Sequence, residues 1–203
     1  MTPLQHRPTY HPNAVGEDSS NDASLLEAWR GGDQLAGSTL FSRHYPSIAR
    51  FFMSKVPEAA DDLVQRTFLG CLEATNRFRG DASVRTFLFG IAHNVLRHHL
   101  RGRHRSGQPF DSAAVSVADL APGPATALGR KRQQRLLVQA LRQIPLDYQV
   151  ALELHYWEQL SATEISKVTG LPAGTIKTRI RRGRQLLQEV LGKLAETPQD
   201  SSG

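Results

Sequence analysis

Apolar residues recur along most of this chain at helical spacing, and no segment alternates residue by residue as a half-buried strand requires. Asp22 or Ser24 is placed to cap a first helix containing Leu25, Leu26, Ala28 and Trp29, closed by Gly31-Gly32. A second runs through Leu35, Leu40, Phe41, Tyr45, Ile48, Phe51 and Phe52, with Pro46 expected to break it locally. After Pro57 a third carries a core stripe of Leu63, Phe68 and Leu72. A fourth, from about Val84 to Arg101, sets Val84, Leu88, Ile91 and Val95 on one face. Helical spacing resumes from Arg130 to about Gln143 and from Pro145 to Trp157. The fold class is therefore all-α.

Breaks in this pattern divide the chain. Residues 1–21 hold three prolines and no periodicity, and read as a disordered extension. Residues 106–129 hold three Pro, three Gly, two Asp and no Lys or Arg, between segments that are basic, and read as a linker. Two small helical domains follow, 22–105 and 130–194, with a tail at 195–203.

The second domain ends in the most specific pattern of the chain. Ser161 with Glu164 three residues on forms a capping box, and Ala162, Ile165 and Val168 give the short helix after it one apolar edge. Gly170-Leu171-Pro172 stops that helix, and Pro172 suits the first turn of the next. There Ile176, Ile180, Leu187 and Val190 share a face, while Thr178, Arg181, Arg182 and Gln185 lie opposite, flanked by Lys177 and Arg184. Arg179 falls beside the apolar stripe and is expected to snorkel or face phosphate. A helix buried on one side and basic on the other, after a tight Gly turn, is the layout of a helix that reads the major groove.

Charge supports that reading. The formal net charge is +6, and Ser161 to Leu191 holds six Lys/Arg against two Glu. The region from Arg85 to Arg105 holds five Arg and four His with no acid. Its outward face is expected to include Phe89, His93 and Arg97, flanked by Asn94, His98 and Arg101. Rings interleaved with cations suit unstacked bases. The loop Arg77-Phe78-Arg79-Gly80-Asp81 has the same mix. The competing reading is a solvated basic helix with Phe87 and Phe89 in the core.

Other chemistry finds no support. Asp61 and Asp62 diverge by about 100° on a helix and do not converge on one atom. No Ser/His/Asp arrangement, phosphate-binding glycine loop or Cys/His ligand spacing occurs, so neither an enzyme nor a metal or cofactor site is expected. Cys71 is the single cysteine and is expected to be a packing residue. No apolar run suits a bilayer or a signal peptide, so a cytoplasmic chain without membrane insertion is expected.

In combination these segments resemble an RNA polymerase sigma factor of the sigma-70 class, in its extracytoplasmic-function (ECF) group, over about residues 22 to 192. Asp61-Asp-Leu-Val-Gln-Arg-Thr-Phe68 resembles the region 2 helix that docks on core polymerase, which implies that role for Asp61, Asp62, Leu63, Gln65 and Phe68. Arg77 to Asp81 resembles the loop that holds a flipped base of the −10 element, and Arg85 to Asn94 the promoter-melting helix. Phe78, Arg79, Asp81, Arg85, Phe87, Phe89, His93, Asn94, Arg97 and Arg101 are the implied −10 residues. Leu171 to Arg182 resembles the −35 recognition helix of region 4, implying Thr175, Lys177, Thr178, Arg179, Arg181, Arg182 and Gln185. The sequence departs from the family at His93 and Gly90, where Arg is frequent, and at Arg66, where an acid is common. The implied partners are core RNA polymerase, promoter DNA and an anti-sigma factor. An autonomous helix-turn-helix regulator is the alternative; it requires a dimerisation helix or ligand pocket, whereas this chain offers candidate polymerase-docking and single-strand-binding helices.

Overall fold

The computed structural model describes residues 14–75, 78, 80–105 and 126–196. They form eight α-helices and one 3-10 turn, with no strand among the described residues. Helices α1 (Ala14–Arg30), α2 (Gln34–Met53), α3 (Ala60–Ala74) and α4 (Val84–Arg105) make the first domain, with the 3-10 turn Pro57–Ala59 ahead of α3. Helices α5 (Thr126–Gln143), α6 (Leu146–Tyr156), α7 (Ala162–Thr169) and α8 (Ala173–Glu196) make the second.

Local chemistry explains the boundaries. Gly32 takes a φ of +97°, which turns the chain after α1. Asp33 then caps α2, its carboxylate accepting from the N–H groups of Leu35 (2.9 Å) and Ala36 (3.1 Å). Gly37 lets α1 lie close on α2: a Cβ there would come within 2.4 Å of the Trp29 ring. Helix α1 starts at Ala14, upstream of the expected start, so Asp22 sits inside it rather than capping it. Its buried carboxylate pairs with Arg43 and, at 2.7 Å, with His44 Nε2, tying α1 to α2. Pro46 does not break α2, which runs through it.

The first core gathers Leu40, Ile48, Phe52, Leu63, Val64, Leu88 and Phe89. Cys71 belongs to it, fully buried, and burial pushes its thiol up to about 12. Leu72, expected in the core stripe, is exposed. The second domain has its own cluster, Leu141, Ile144 and Leu152 with Leu187 and Val190 against them. Gly183 lets α8 approach α6, since a Cβ there would lie 3.2 Å from Leu152 and Tyr148 side-chain atoms.

The two domains pack on each other. Val150, Leu154, Leu160, Ile165 and Val168 of the second join the apolar cluster of the first. Arg142 of α5 donates to the carbonyls of Met53 (2.9 Å) and Ser54 (3.1 Å), satisfying the C-terminal end of α2. Helix α4 is the shared wall. Its buried apolar positions are Val84, Leu88, Phe89, Ala92 and Leu96, while Ile91 and Val95 are only half-buried. A single stripe at 3.6 spacing assumes one packed face; α4 has two, with α3 on one side and α7 on the other.

Candidate nucleic-acid interface and polymerase-docking face

The helix-turn-helix forms as its caps dictate. The Glu164 N–H donates to Ser161 Oγ (3.2 Å), and the Ser161 N–H donates back to Glu164 Oε2 (2.8 Å). Gly170 adopts the left-handed conformation, φ +75°, that ends α7 and redirects the chain into α8. Ile176 is fully buried, Gly183 is buried, and Ile180 and Leu187 are half-buried, which fixes the rotation of α8. Thr175, Lys177, Thr178, Arg181, Arg182 and Gln185 are all left exposed on the outer side. The Thr178 hydroxyl donates to the Gly174 carbonyl (3.1 Å), one turn back on α8. Arg179 is engaged within the molecule, 2.7 Å from Asp147 of α6.

The first domain's basic helix is arranged differently from the expected outward face. Phe89 is buried and meets Phe51 edge-on at 5.7 Å, so it belongs to the core and cannot stack on a base. His93 is 8% exposed, walled in by the second domain, and its Nδ1 has no hydrogen-bond partner. Burial, then the charge of Arg97, lowers its pKa to about 4; Asp147 opposes, while Lys55 and Arg179 add to the lowering. Imidazole is neutral there at pH 7. Asn94, Arg97 and Arg101 are exposed. Arg97 and Arg101 line a cleft of about 360 Å³ between α4 and the second domain, floored by Leu96, Leu100 and Val150.

A second pocket, of about 310 Å³, lies on the opposite flank of α4. Phe78 and Phe87, tilted against each other at 5.2 Å, form its aromatic wall. Asp81, Thr86, Gly90 and Asn94 supply polar groups and open space, and Lys167 of α7 reaches in from the other domain. Its Nζ donates to the Asp81 carbonyl. Arg85 instead turns to the second domain, 2.5 Å from the Glu158 carboxylate. Arg79 lies outside the described residues.

On the far side of the first domain, α3 presents Asp61, Gln65, Leu69 and Leu72 at successive turns, all exposed. Leu63 and Phe68, expected to share this face, have their side chains in the core. They shape the surface from beneath, because the buried stripe and the exposed stripe of α3 are offset by about a third of a turn. Phe41 and Tyr45 of α2 extend the exposed apolar area, the Phe41 ring tilted against Phe68 at 4.5 Å. Exposure of Leu69 reaches 60%, so this patch is apolar with an acidic end. Asp62 shares its charge with Arg66 at 2.9 Å.

Comparison with known proteins finds a match in each domain. Residues 40–106 match Sigma-70 region 2 and residues 134–187 match Sigma-70, region 4. The chain is 30% identical over 184 residues to RNA polymerase sigma-H factor of Pseudomonas aeruginosa, covering 85% of this chain and 95% of that protein. It is 30% identical over 175 residues to the ECF RNA polymerase sigma-E factor of Escherichia coli K12, covering 82% and 92%. Its fold is similar to CnrH solved in complex with the cytosolic domain of CnrY, with a TM-score of 0.64 and 23% identity over 87% of this chain and 99% of that one. It is also similar to the sigma factor RpoE solved with the anti-sigma factor NepR from Bartonella quintana, with a TM-score of 0.63 and 24% identity over 76% and 96%. With two regions matched in order and full-length relatives at this identity, the chain belongs to the sigma-70 family, in the ECF group of RNA polymerase sigma factors.

Proposed function

We propose that this sigma factor grips a promoter at two places and docks on polymerase at a third, with the boundaries 22–105 and 130–194 separating the two DNA grips. Exposed Lys177, Thr178, Arg181, Arg182 and Gln185 on α8 read the −35 element in the major groove. Thr175 and Arg179 lie at the margins of that surface and serve phosphate positioning. The pocket of Phe78, Asp81, Thr86, Phe87 and Asn94 takes a base flipped from the melted −10 element, and Arg97 and Arg101 track the strand's phosphates. The face of Asp61, Asp62, Gln65, Leu69 and Leu72 meets core polymerase, joined by Phe41 and Tyr45.

The observation that carries this reading is the exposure pattern of α8, whose base-reading side chains all point away from its packed face. The reaction chemistry then belongs to polymerase, and this chain supplies recognition alone. Its place of action is the cytoplasm, where the polymerase and promoter are; among the described residues no helix is long and apolar enough to cross a membrane. The anti-sigma partner of the RpoE relative suggests that this chain too is held by such a protein. Run-off transcription with core polymerase on promoters located by holoenzyme footprinting tests the reading. Specific transcripts that need the purified chain are expected. A chain that neither binds core nor starts them removes it.

A further inference from the structure

The cleft between α4 and the second domain has a volume of about 360 Å³, within the range of roughly 300–1,000 Å³ that small-molecule sites span. Its lining falls into two parts of opposite character. The floor is aliphatic: Leu96 and Val150 are buried, and Leu100, Leu146 and Leu171, half-buried around them, complete it. The rim is cationic. Arg97 and Arg101 stand there, both exposed, with Arg179 of α8 facing them from the other domain.

The charges of the rim are not balanced from within. Arg97 and Arg101 lie one turn apart on α4, where like charges repel. Among the described residues neither has an ion pair or a hydrogen bond. Arg179 does, 2.7 Å from Asp147. Asp147 is the one acid in the lining, against three Arg. The inner groups, by contrast, carry no charge. His93 is 8% exposed, and burial, followed by the charge of Arg97, keeps its ring neutral. The Thr169 hydroxyl is already held by the Ile165 carbonyl (2.8 Å).

An aliphatic floor under two unpaired guanidinium groups selects an amphipathic anion. Tracking of DNA phosphates accounts for Arg97 and Arg101, but not for the apolar floor enclosed beside them. A nucleotide or sugar phosphate does not suit that floor, because its hydroxyls and base edges would lose water and meet only Leu and Val. A hydrocarbon body does suit it, since both surfaces leave water together. A carboxylate head suits the rim, because its two oxygens match the paired N–H groups of a guanidinium.

We propose that this cleft binds a hydrocarbon carboxylic acid, aryl or medium-chain aliphatic, with its carboxylate held by Arg97 and Arg101 and its apolar body on the aliphatic floor. Arg97 and Arg101 are also the side chains assigned to the phosphates of the −10 strand, so bound acid competes with that strand. This competition rests on the sigma reading; the site itself does not.

The test is calorimetric titration of the full-length protein with 2-naphthoate and with decanoate. At least one is expected to bind saturably at one site, and the tighter of the two distinguishes an aryl from an aliphatic ligand. Three controls should each bind at least tenfold more weakly: 2-naphthylmethanol, the body without the charge; acetate, the charge without the body; and AMP, the nucleotide. Arg97→Gln with Arg101→Gln changes exposed positions alone and should weaken acid binding about tenfold while leaving the alcohol unaffected. Leu100→Trp fills the floor and should weaken acid and alcohol alike, with helicity by circular dichroism as the check on its fold. No saturable binding of either acid overturns the proposal. So does acid binding unchanged in the double Arg variant, or any of the three controls binding as tightly as the acids. Displacement of a fluorescent single-stranded −10 oligonucleotide by the acid is the second readout. Acid that binds without displacing the strand, in a chain that supports run-off transcription, overturns the competition. A chain that starts no transcripts refutes the sigma reading, while the titrations still decide the site.

Discussion

Lys55 and Glu153 meet across the two domains in a site closed to water, each charge fully hydrogen-bonded by neighbours that include Ser54 and Gln149. Burial pulls the Lys55 ammonium below its ordinary range, and Glu153 offsets this only in part. For Glu158 burial pushes the other way, yet hydrogen bonds and charge from Arg50 and Arg85 outweigh it and hold the carboxyl low. Both sites thus depend on partners from the opposite domain.

Breaking the first pair should therefore cost more than removing it whole. Lys55→Met leaves a buried carboxylate unpaired, a loss of about 3–5 kcal/mol in a rigid core. Here the loss is capped by the free energy of parting the domains, after which Glu153 is hydrated. Lys55→Met with Glu153→Leu should recover much of it. Urea titration of the four corners of this double-mutant cycle measures the coupling. Additive single losses would mean that the two groups do not depend on each other.

The recognition helix supports a contrast between neighbours. Arg182→Ala should cost about 1–3 kcal/mol of −35 binding and relax sequence preference, since Arg182 is exposed on the outer side of α8. Arg179→Ala should lower affinity less and equally for all sequences, because its guanidinium is already held by Asp147 at 2.7 Å. Binding to a panel of single-base −35 variants distinguishes the two. An unchanged preference profile in Arg182→Ala would remove its base-reading role.

Much of this was legible in the residues, and the failures share one cause. The capping box at Ser161 and Glu164 and the turn at Gly170 are local devices, fixed by neighbours within four residues. They read correctly because nothing distant competes with them. Phe89 and His93 leave the outward face that the sequence predicts because α4 packs on two sides, and one of those sides belongs to the second domain, more than fifty positions later. Leu63 and Phe68 carry the docking motif yet serve the core, while Leu69, a residue the motif did not single out, stands exposed. Asp22 reads as a cap because an acid ahead of an apolar run usually is one. A partner twenty-two residues away, His44, gives it a tertiary role instead. Glu153, an acid inside the run Val150-Ala-Leu-Glu-Leu, needs a partner there, and Lys55 of the first domain supplies it.

The docking face predicts a loss of assembly without loss of fold. Leu69→Glu changes an exposed position and should alter stability by less than about 0.5 kcal/mol, while Asp61→Arg with Asp62→Arg reverses the charge at the start of α3 and removes the Asp62–Arg66 pair, and should cost about 1–2 kcal/mol with the fold intact. Each should weaken core polymerase binding tenfold or more, measured by competition with a second labelled sigma factor. Normal assembly by both variants would remove α3 as the docking helix.

Acid should part the domains, and His93 gives the direction. Its folded pKa of about 4 lies below the ordinary 6.5, so the parted or unfolded state binds the proton more readily. The stability it lends the packed state is whole above pH 6.5 and is lost progressively as pH falls toward 4. A shift of this size corresponds to a few kcal/mol. Burial sets the sign, and the surrounding charges follow it: Arg97 on α4, Lys55 after α2 and Arg179 on α8 repel an imidazolium, and Asp147 on α6 attracts it. Scattering from the full chain between pH 7.5 and 5 should show expansion on acidification, and His93→Gln should remove that part of the response while Lys55→Ala shifts it to higher pH. A radius of gyration that is flat over this range in wild type, with its helicity intact, would show that His93 does not couple protonation to domain packing.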